Sequence, residues 1–188
     1  MSQGDVSSSL GVQEGASTAR LDQLVDRGLC KRGGTGLRLT SEGRAHLSVL
    51  LAREAAAVDR QAATALYDRF CELNQDLKQV ITDWQLRDGH APNDHSDPAY
   101  DAAVLARLTA AYERAGSLLA ELGTLRPRLQ HYSSRLALAH ARVLEGDHSF
   151  VATIGKDSFH TLWFELHEDL IGLTGASRVD EAIAGRAT

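Results

Sequence analysis

Apolar positions in the first fifty residues follow two different spacings. A three- and four-residue spacing over residues 17–28 predicts a helix that ends at a glycine. Two short apolar segments then flank the glycine-rich tip at residues 33–36, which is typical of a β-hairpin. Residues 1–16 are rich in glycine and serine and predict one short helical turn and a loop.

From residue 40 onward the spacing is almost entirely helical. Thr40 is suited to cap a helix over residues 40–60, with Leu47, Leu50 and Leu51 on its buried side. Residues 147–156, after the break at Gly146-Asp147, predict a loop or a strand fragment. The remaining helices are expected over residues 61–87, 98–122, 127–145, 157–173 and 178–185, with a polar loop over residues 88–97.

The composition is that of a globular protein without a membrane segment. The 188 residues are 43% hydrophobic, which excludes a disordered or collagen-like chain, and the apolar runs are far shorter than the roughly 18 residues of a membrane span. The N-terminus lacks the basic region of a signal peptide. Cys30 and Cys71 form no CxxC pair, so we expect free thiols in a reducing cytoplasm.

The charge is unevenly distributed along the chain. The net charge of −5 argues against a protein coated in nucleic acid. Residues 17–44 nevertheless hold six basic and three acidic residues, whereas residues 61–188 hold 12 basic and 18 acidic residues. A basic front and an acidic body predict two separate roles.

The string STARLDQLVDRGLCKRGGTGLRLTSEGR resembles the back half of a winged helix-turn-helix domain. The resemblance covers a helix, a "GL" turn, a hairpin and an "LTxxGR" segment. Only 16 residues precede the candidate recognition helix, and the first supporting helix of the module is not visible. In similar bacterial regulators, including relatives of the multiple-antibiotic-resistance repressors, the hairpin leads into a dimerising helix. The resemblance implies DNA contacts by Ser17, Thr18 and Arg20 in the major groove and by Lys31, Arg32 and Arg38 on phosphate.

The second segment resembles a helical bundle that follows winged modules in actinobacterial regulator-like proteins. The strings that carry this resemblance are FCELNQDLKQVITDWQLRDG, NDHSDPAYD and DSFHTLWFELHEDLIGL. It is also similar to the tail of some pyruvate, phosphate dikinase-like chains. Both resemblances imply a regulatory or ligand-sensing module. The chain has no GxSxG, P-loop or GxGxxG motif, so we expect no enzyme activity.

Histidines and aspartates of the bundle suggest a polar site. His160 and His167 lie seven residues apart on one helix face, about 10 Å along the axis, which is too far to chelate one metal ion between them. The segment from His90 to Asp101 is the other dense cluster, with His90, Asp94, His95, Asp97 and Asp101 within twelve positions. It could hold a cation, but turn-forming residues and the Asp97 cap are the preferred explanation. We expect no metal or cofactor, and a single ligand pocket lined by Trp84, Arg87, His95, Asp97, Tyr100, His160 and His167.

Arginines recur every seven residues on the helix at residues 127–145. The repeat of Arg128, Arg135 and Arg142 makes one helix face basic within an acidic module. We expect these side chains to pair with acidic residues of neighbouring helices. A pocket for a carboxylate or phosphate is the alternative.

These patterns predict a mainly α protein, with a partial winged-helix module carrying one β-hairpin at residues 1–50 and an α-helical bundle at residues 51–188. The predicted function is a DNA-binding transcriptional regulator, with the bundle as an effector or dimerisation domain. DNA, a small-molecule effector and a second copy of the chain are the expected partners. The alternative is a protein-interaction module that does not bind DNA and is related to an enzyme tail.

Overall fold

The computed structural model describes residues 14–34 and 36–176. The chain is mainly α-helical, with a two-stranded hairpin followed by a helical bundle, as the sequence predicted. Its described residues divide into two compact units between residues 57 and 58. The short turn expected before residue 17 and the helix expected at residues 178–185 lie outside the described residues.

The first unit is a helix, a hairpin and a second helix. These are α1 (Glu14–Asp26), β1 (Cys30–Gly33), β2 (Gly36–Leu39) and α2 (Ser41–Ala56). Gly28 ends the turn after α1 with a φ of 71°, a left-handed conformation that favours glycine. The Thr40 hydroxyl accepts from the Gly43 N–H at 2.9 Å and donates to the Gly28 carbonyl at 2.7 Å. One side chain therefore caps α2 and joins it to the turn after α1.

The expectation that Leu47, Leu50 and Leu51 are buried is wrong. These side chains are 40%, 47% and 40% exposed, and Gly43 is the buried residue of α2. Only the first turn of α2 packs closely on the hairpin, so the rest of its apolar side stays uncovered within the unit. The helix also ends at Ala56 rather than at residue 60, because Asp59 caps the next helix through the N–H groups of residues 61 and 62.

The second unit is a ring of four long helices. They are α3 (Arg60–Gln85), α4 (Pro98–Leu125), α5 (Gln130–Leu144) and α7 (Phe159–Thr174). Each packs on the next along the chain, and α7 returns to α3. The largest fully buried side chains of the ring include Phe70, Leu108, Leu136, Phe159, Leu162 and Leu166.

The connections of the bundle differ in part from the predictions. Residues 88–97 are not all loop, because β3 (Leu86–Arg87) pairs antiparallel with β4 (Ala91–Pro92). A 3₁₀ helix (Pro127–Leu129) precedes α5. The segment expected as loop or strand contains the helical turn α6 (Ser149–Ala152), so a strand there is wrong. None of the helices that the structure describes has the length and apolar content to cross a membrane.

Candidate functional site

Two cations stand side by side on the hairpin of the first unit. Lys31 of β1 lies directly opposite Arg38 of β2 in the strand register, and both side chains are exposed. Directly opposed residues have Cβ atoms about 5 Å apart, and like charges at that distance destabilise a sheet. Neither side chain forms an ion pair within the described part of the chain. The pair therefore forms a small cationic surface, to which exposed Arg20 on α1 adds a third charge on a separate element.

Two of the residues expected to contact DNA are used inside the unit. Ser17 is 1% exposed, so its hydroxyl does not lie on the outer face of α1, where a groove contact would require it. Arg32 is exposed but forms an ion pair and hydrogen bond with Asp22 of α1. Thr18 is half-buried.

The single ligand pocket expected in the bundle is instead two cavities. The first, of about 640 Å³, includes Trp84 and His95 in its lining. The second, of about 480 Å³, includes His160 and His167. The predicted residues divide between these cavities because α7 packs its histidine face on α3, while the loop around His95 folds back on the end of α3 and the start of α4.

Arg87, Asp97 and Tyr100 line neither cavity and form a structural clasp. Arg87 donates to Asp97 Oδ2 at 3.1 Å, and its guanidinium lies 4.0 Å from the centre of the Tyr100 ring. The Tyr100 hydroxyl donates to the Asp83 carbonyl at 3.0 Å. Hydrogen bonds from the Tyr100 backbone N–H and from Arg87 lower the pKa of Asp97, so its carboxylate stays ionised as the cap of α4. These contacts fix the loop to the bundle.

The first cavity is built around Trp84 and two histidines. The indole contacts the His95 ring at 4.4 Å and the edge of the His148 ring at 5.4 Å, measured between ring centres. His95 has a φ of 58°, and its Nδ1 lies 2.9 Å from Asp101 Oδ2. The sequence analysis missed His148, which follows the helix break at Gly146-Asp147 and is placed here by the fold of α6.

The second cavity is a groove between α3 and α7. His167 is buried, with its Nε2 3.1 Å from the Tyr67 hydroxyl and its ring packed on Phe70. His160 Nδ1 is also buried, but it has no hydrogen-bond partner within the described residues. A buried polar atom without a partner costs about 1–3 kcal/mol.

Two further residues of this groove were missed from the sequence. Asn74 is buried, and its Oδ1 accepts from the Trp163 indole N–H at 3.0 Å. Lys78 lines the same groove one turn further along α3. Asn74 follows Phe70 by four positions, a spacing that would have placed it on the inner face of α3.

The arginine repeat on α5 is paired within the bundle. Arg128 lies 2.9 Å from Asp169, and Arg142 lies 3.0 Å from Glu145. Arg135 forms bonds to Asp157 and Glu165 of 2.7 and 3.0 Å. Intramolecular pairing, the preferred interpretation of this repeat, is therefore confirmed, although Arg142 pairs with the C-cap residue of its own helix rather than with a neighbouring helix.

Within residues 14–34 and 36–176, no three His, Cys, Asp or Glu side chains are grouped so as to hold a metal ion. No family model, no curated protein and no solved structure matches the chain significantly.

Proposed function

We propose that the chain is a DNA-binding transcriptional regulator that acts as a homodimer, with the helical bundle as its effector domain. The observation that carries the proposal is the cross-strand pair of Lys31 and Arg38. Two exposed cations held side by side repel one another, and the attraction of each cation to the phosphates of a nucleic acid would offset that repulsion.

The arrangement of the first unit supports two kinds of DNA contact. The hairpin would place Lys31 and Arg38 on phosphates, which gives affinity without sequence preference. Exposed Arg20 on α1 would reach base edges, where an arginine donates two hydrogen bonds to a guanine. So few cations give weak binding by one copy, and two copies on a two-fold site would compensate.

The uncovered side of α2 supports pairing with a second copy. Leu47, Leu50 and Leu51 are 40%, 47% and 40% exposed and share one side of the helix, although isolated exposed leucines are ordinary. Pairing of two copies along this side would cover these leucines.

Replacing hairpin and helix cations should affect DNA binding in different ways. For the DNA upstream of the protein's own gene, at about 0.1 M salt, Arg20→Ala should weaken specific binding by roughly 1–3 kcal/mol and relax one base preference. Arg38→Ala should weaken binding to all DNA sequences alike. It should also reduce the slope of the logarithm of the binding constant against the logarithm of the salt concentration by about one. Fluorescence anisotropy with this duplex and a scrambled duplex measures both effects.

Arg142→Ala is the matched control, since it removes one exposed arginine from the bundle instead of the hairpin. Equal losses of DNA affinity in Arg142→Ala and Arg38→Ala would mean that the effect arises from the net charge of the protein and not from the hairpin. Absence of binding to any duplex by the folded dimer would overturn the proposal.

Disrupting the leucine side of α2 should separate the copies. We expect the wild-type chain to sediment as a dimer at tens of micromolar and Leu50→Glu to sediment as a monomer, because a buried unpaired charge is costly. Leu138→Glu, at a leucine of the bundle that is 54% exposed, should remain dimeric. A monomeric wild-type chain would remove α2 as a dimer interface.

The second candidate function is a protein-interaction module that does not bind DNA. The burial of Ser17 and the pairing of Arg32 with Asp22 favour it, since both remove expected DNA contacts. A dimer that binds no duplex in the anisotropy experiment would support this candidate.

A further inference from the structure

The groove between α3 and α7 has walls made from two facing helix stripes. On α3 the lining residues recur every three or four positions from Asn74 to Gln85, and on α7 they recur in the same way from His160 to His167. Its volume of about 480 Å³ falls within the usual range for small-molecule sites. The groove lies wholly within the second unit.

The apolar walls of this groove are held in place by the core of the bundle. Leu77 and Ile81 are buried on the α3 side. On the α7 side the Trp163 ring stacks on Phe70, with the ring centres 4.8 Å apart. Phe164 lies at the rim and is 47% exposed. Fixed aliphatic and aromatic surfaces favour a flat apolar ligand, because little side-chain freedom is lost when it binds.

Asn74 brings a buried polar side chain to these apolar walls. The side chain is 6% exposed, and its Oδ1 accepts from the indole N–H of Trp163 at 3.0 Å. An indole nitrogen can only donate, so this bond fixes which end of the amide faces Trp163. The NH₂ of Asn74 is therefore directed away from the indole.

This NH₂ is a donor that the described part of the chain leaves unused. It forms no hydrogen bond within residues 14–34 and 36–176, yet it is not one of the fully enclosed side-chain atoms there that lack a partner. The nitrogen therefore keeps an accessible surface, and the open space that Asn74 lines is the groove. A buried amide oriented in this way can donate to an oxygen of a bound molecule.

The basic groups of the groove do not provide a site for a charged ligand. Lys78 already interacts with another group of the chain, and His160 Nδ1 is fully enclosed. His167 Nε2 lies 3.1 Å from the Tyr67 hydroxyl. No aspartate or glutamate is among the described residues that line the groove. A charged ligand would lose hydration here without gaining an ion pair, so the groove favours an uncharged molecule.

We propose that this groove binds a small uncharged molecule that has a flat apolar body and a carbonyl group. The carbonyl oxygen would accept from the NH₂ of Asn74, and the body would lie between Leu77 and Ile81 on one wall and Trp163 on the other. Phe164 would cover the ligand at the rim. The proposal goes beyond DNA binding, because it depends only on residues of the bundle.

A ketone and two analogues test the proposal on the full chain. Prodan is an uncharged aminonaphthalene with a propionyl group, and the analogues carry a propyl chain or a carboxylate in place of that group. We expect one ketone to bind per chain, and the carboxylate to bind at least about tenfold more weakly because its charge is desolvated without a partner. Tighter binding of the carboxylate, or no saturable binding of the ketone, would overturn the proposal.

Replacing Asn74 tests the hydrogen bond. Asn74→Leu keeps the approximate size of the side chain and removes the donor. The ketone should weaken about fivefold relative to the propyl analogue, a factor that corresponds to about 1 kcal/mol, the usual contribution of one uncharged hydrogen bond. Comparing the two ligands in the same variant cancels any general change in the groove. A ratio of affinities equal to that of the wild-type chain would overturn the role of Asn74.

Filling each cavity in turn identifies where the ketone binds. Thr82→Trp places a large side chain in the groove, and Ala102→Trp, the matched control, places one in the first cavity. The first variant should lose the ketone, and the second should keep its affinity within about twofold, since its site is separate. Far-ultraviolet circular dichroism checks that both variants are folded. Binding that persists in Thr82→Trp, or that is lost only in Ala102→Trp, would overturn the proposal.

Discussion

Gly43→Ala should unfold the first unit and leave the bundle folded. A Cβ atom on residue 43 would lie 1.9 Å from the carbonyl oxygen of Leu29 and 2.9 Å from its carbonyl carbon. Both are backbone atoms, and the same carbonyl accepts from the Thr40 N–H at 3.0 Å, so it cannot move away without breaking the link between α2 and the hairpin. We expect a loss of about 3 kcal/mol or more, well above the gain of about 1 kcal/mol from the better helix propensity of alanine.

Hydrogen exchange followed by mass spectrometry measures this effect unit by unit. Protection of backbone amides against hydrogen exchange should disappear from peptides within residues 14–57 and persist in peptides from α3 to α7. Gly15→Ala is the control, because nothing lies within 4 Å of its added Cβ in the same unit. If Gly43→Ala keeps the protection of the wild-type chain, the close approach of α2 to Leu29 is not a feature of the folded protein.

Arg135→Ala should destabilise the bundle by about 3 kcal/mol. Arg135 is 7% exposed and binds Asp157 through its Nε and Nη2 and Glu165 through its Nη1, at 2.9, 2.7 and 3.0 Å. Its removal would leave two carboxylates close together without a cation. The expected cost is at the low end for a buried ion pair, because side chains 157 and 165 are 32% and 40% exposed and water would solvate them in part.

Urea denaturation of the bundle, followed by tryptophan fluorescence, checks this value. Arg142→Ala, on the same helix and exposed, should cost less than about 0.5 kcal/mol. Arg135→Met separates charge from volume, since it restores much of the side chain without a donor. Equal costs for Arg135→Ala and Arg142→Ala would contradict a special role for the buried arginine.

The elements of the fold could be predicted from the sequence because their signals are local. Thr40 and Asp97 cap helices where the pattern placed them, and the hairpin forms around its glycine-rich tip. The inner faces of the bundle helices follow from spacing, as Leu129, Tyr132 and Leu136 show. The pairing of Arg135 was predictable in kind, since a cation on the inner face of a bundle requires a partner.

The candidate sites could not be predicted in the same way, because they depend on which helices become neighbours. Spacing indicates that Leu47 and Leu50 share an apolar side but not whether anything covers it. The division of Trp84 and His160 between two cavities results from the packing of α7 on α3.

The small interior of the first unit has a consequence for how the proposed regulator would respond to its own abundance. Among its described residues, the buried apolar side chains are those of Leu21, Leu29 and Cys30. The described part of the unit therefore buries little apolar surface, and association of two copies through α2 would stabilise it by mass action. Folding, pairing and occupancy of DNA would then rise together over a narrow range of protein concentration. A gene controlled in this way would switch at a threshold of regulator copy number instead of responding in proportion to it.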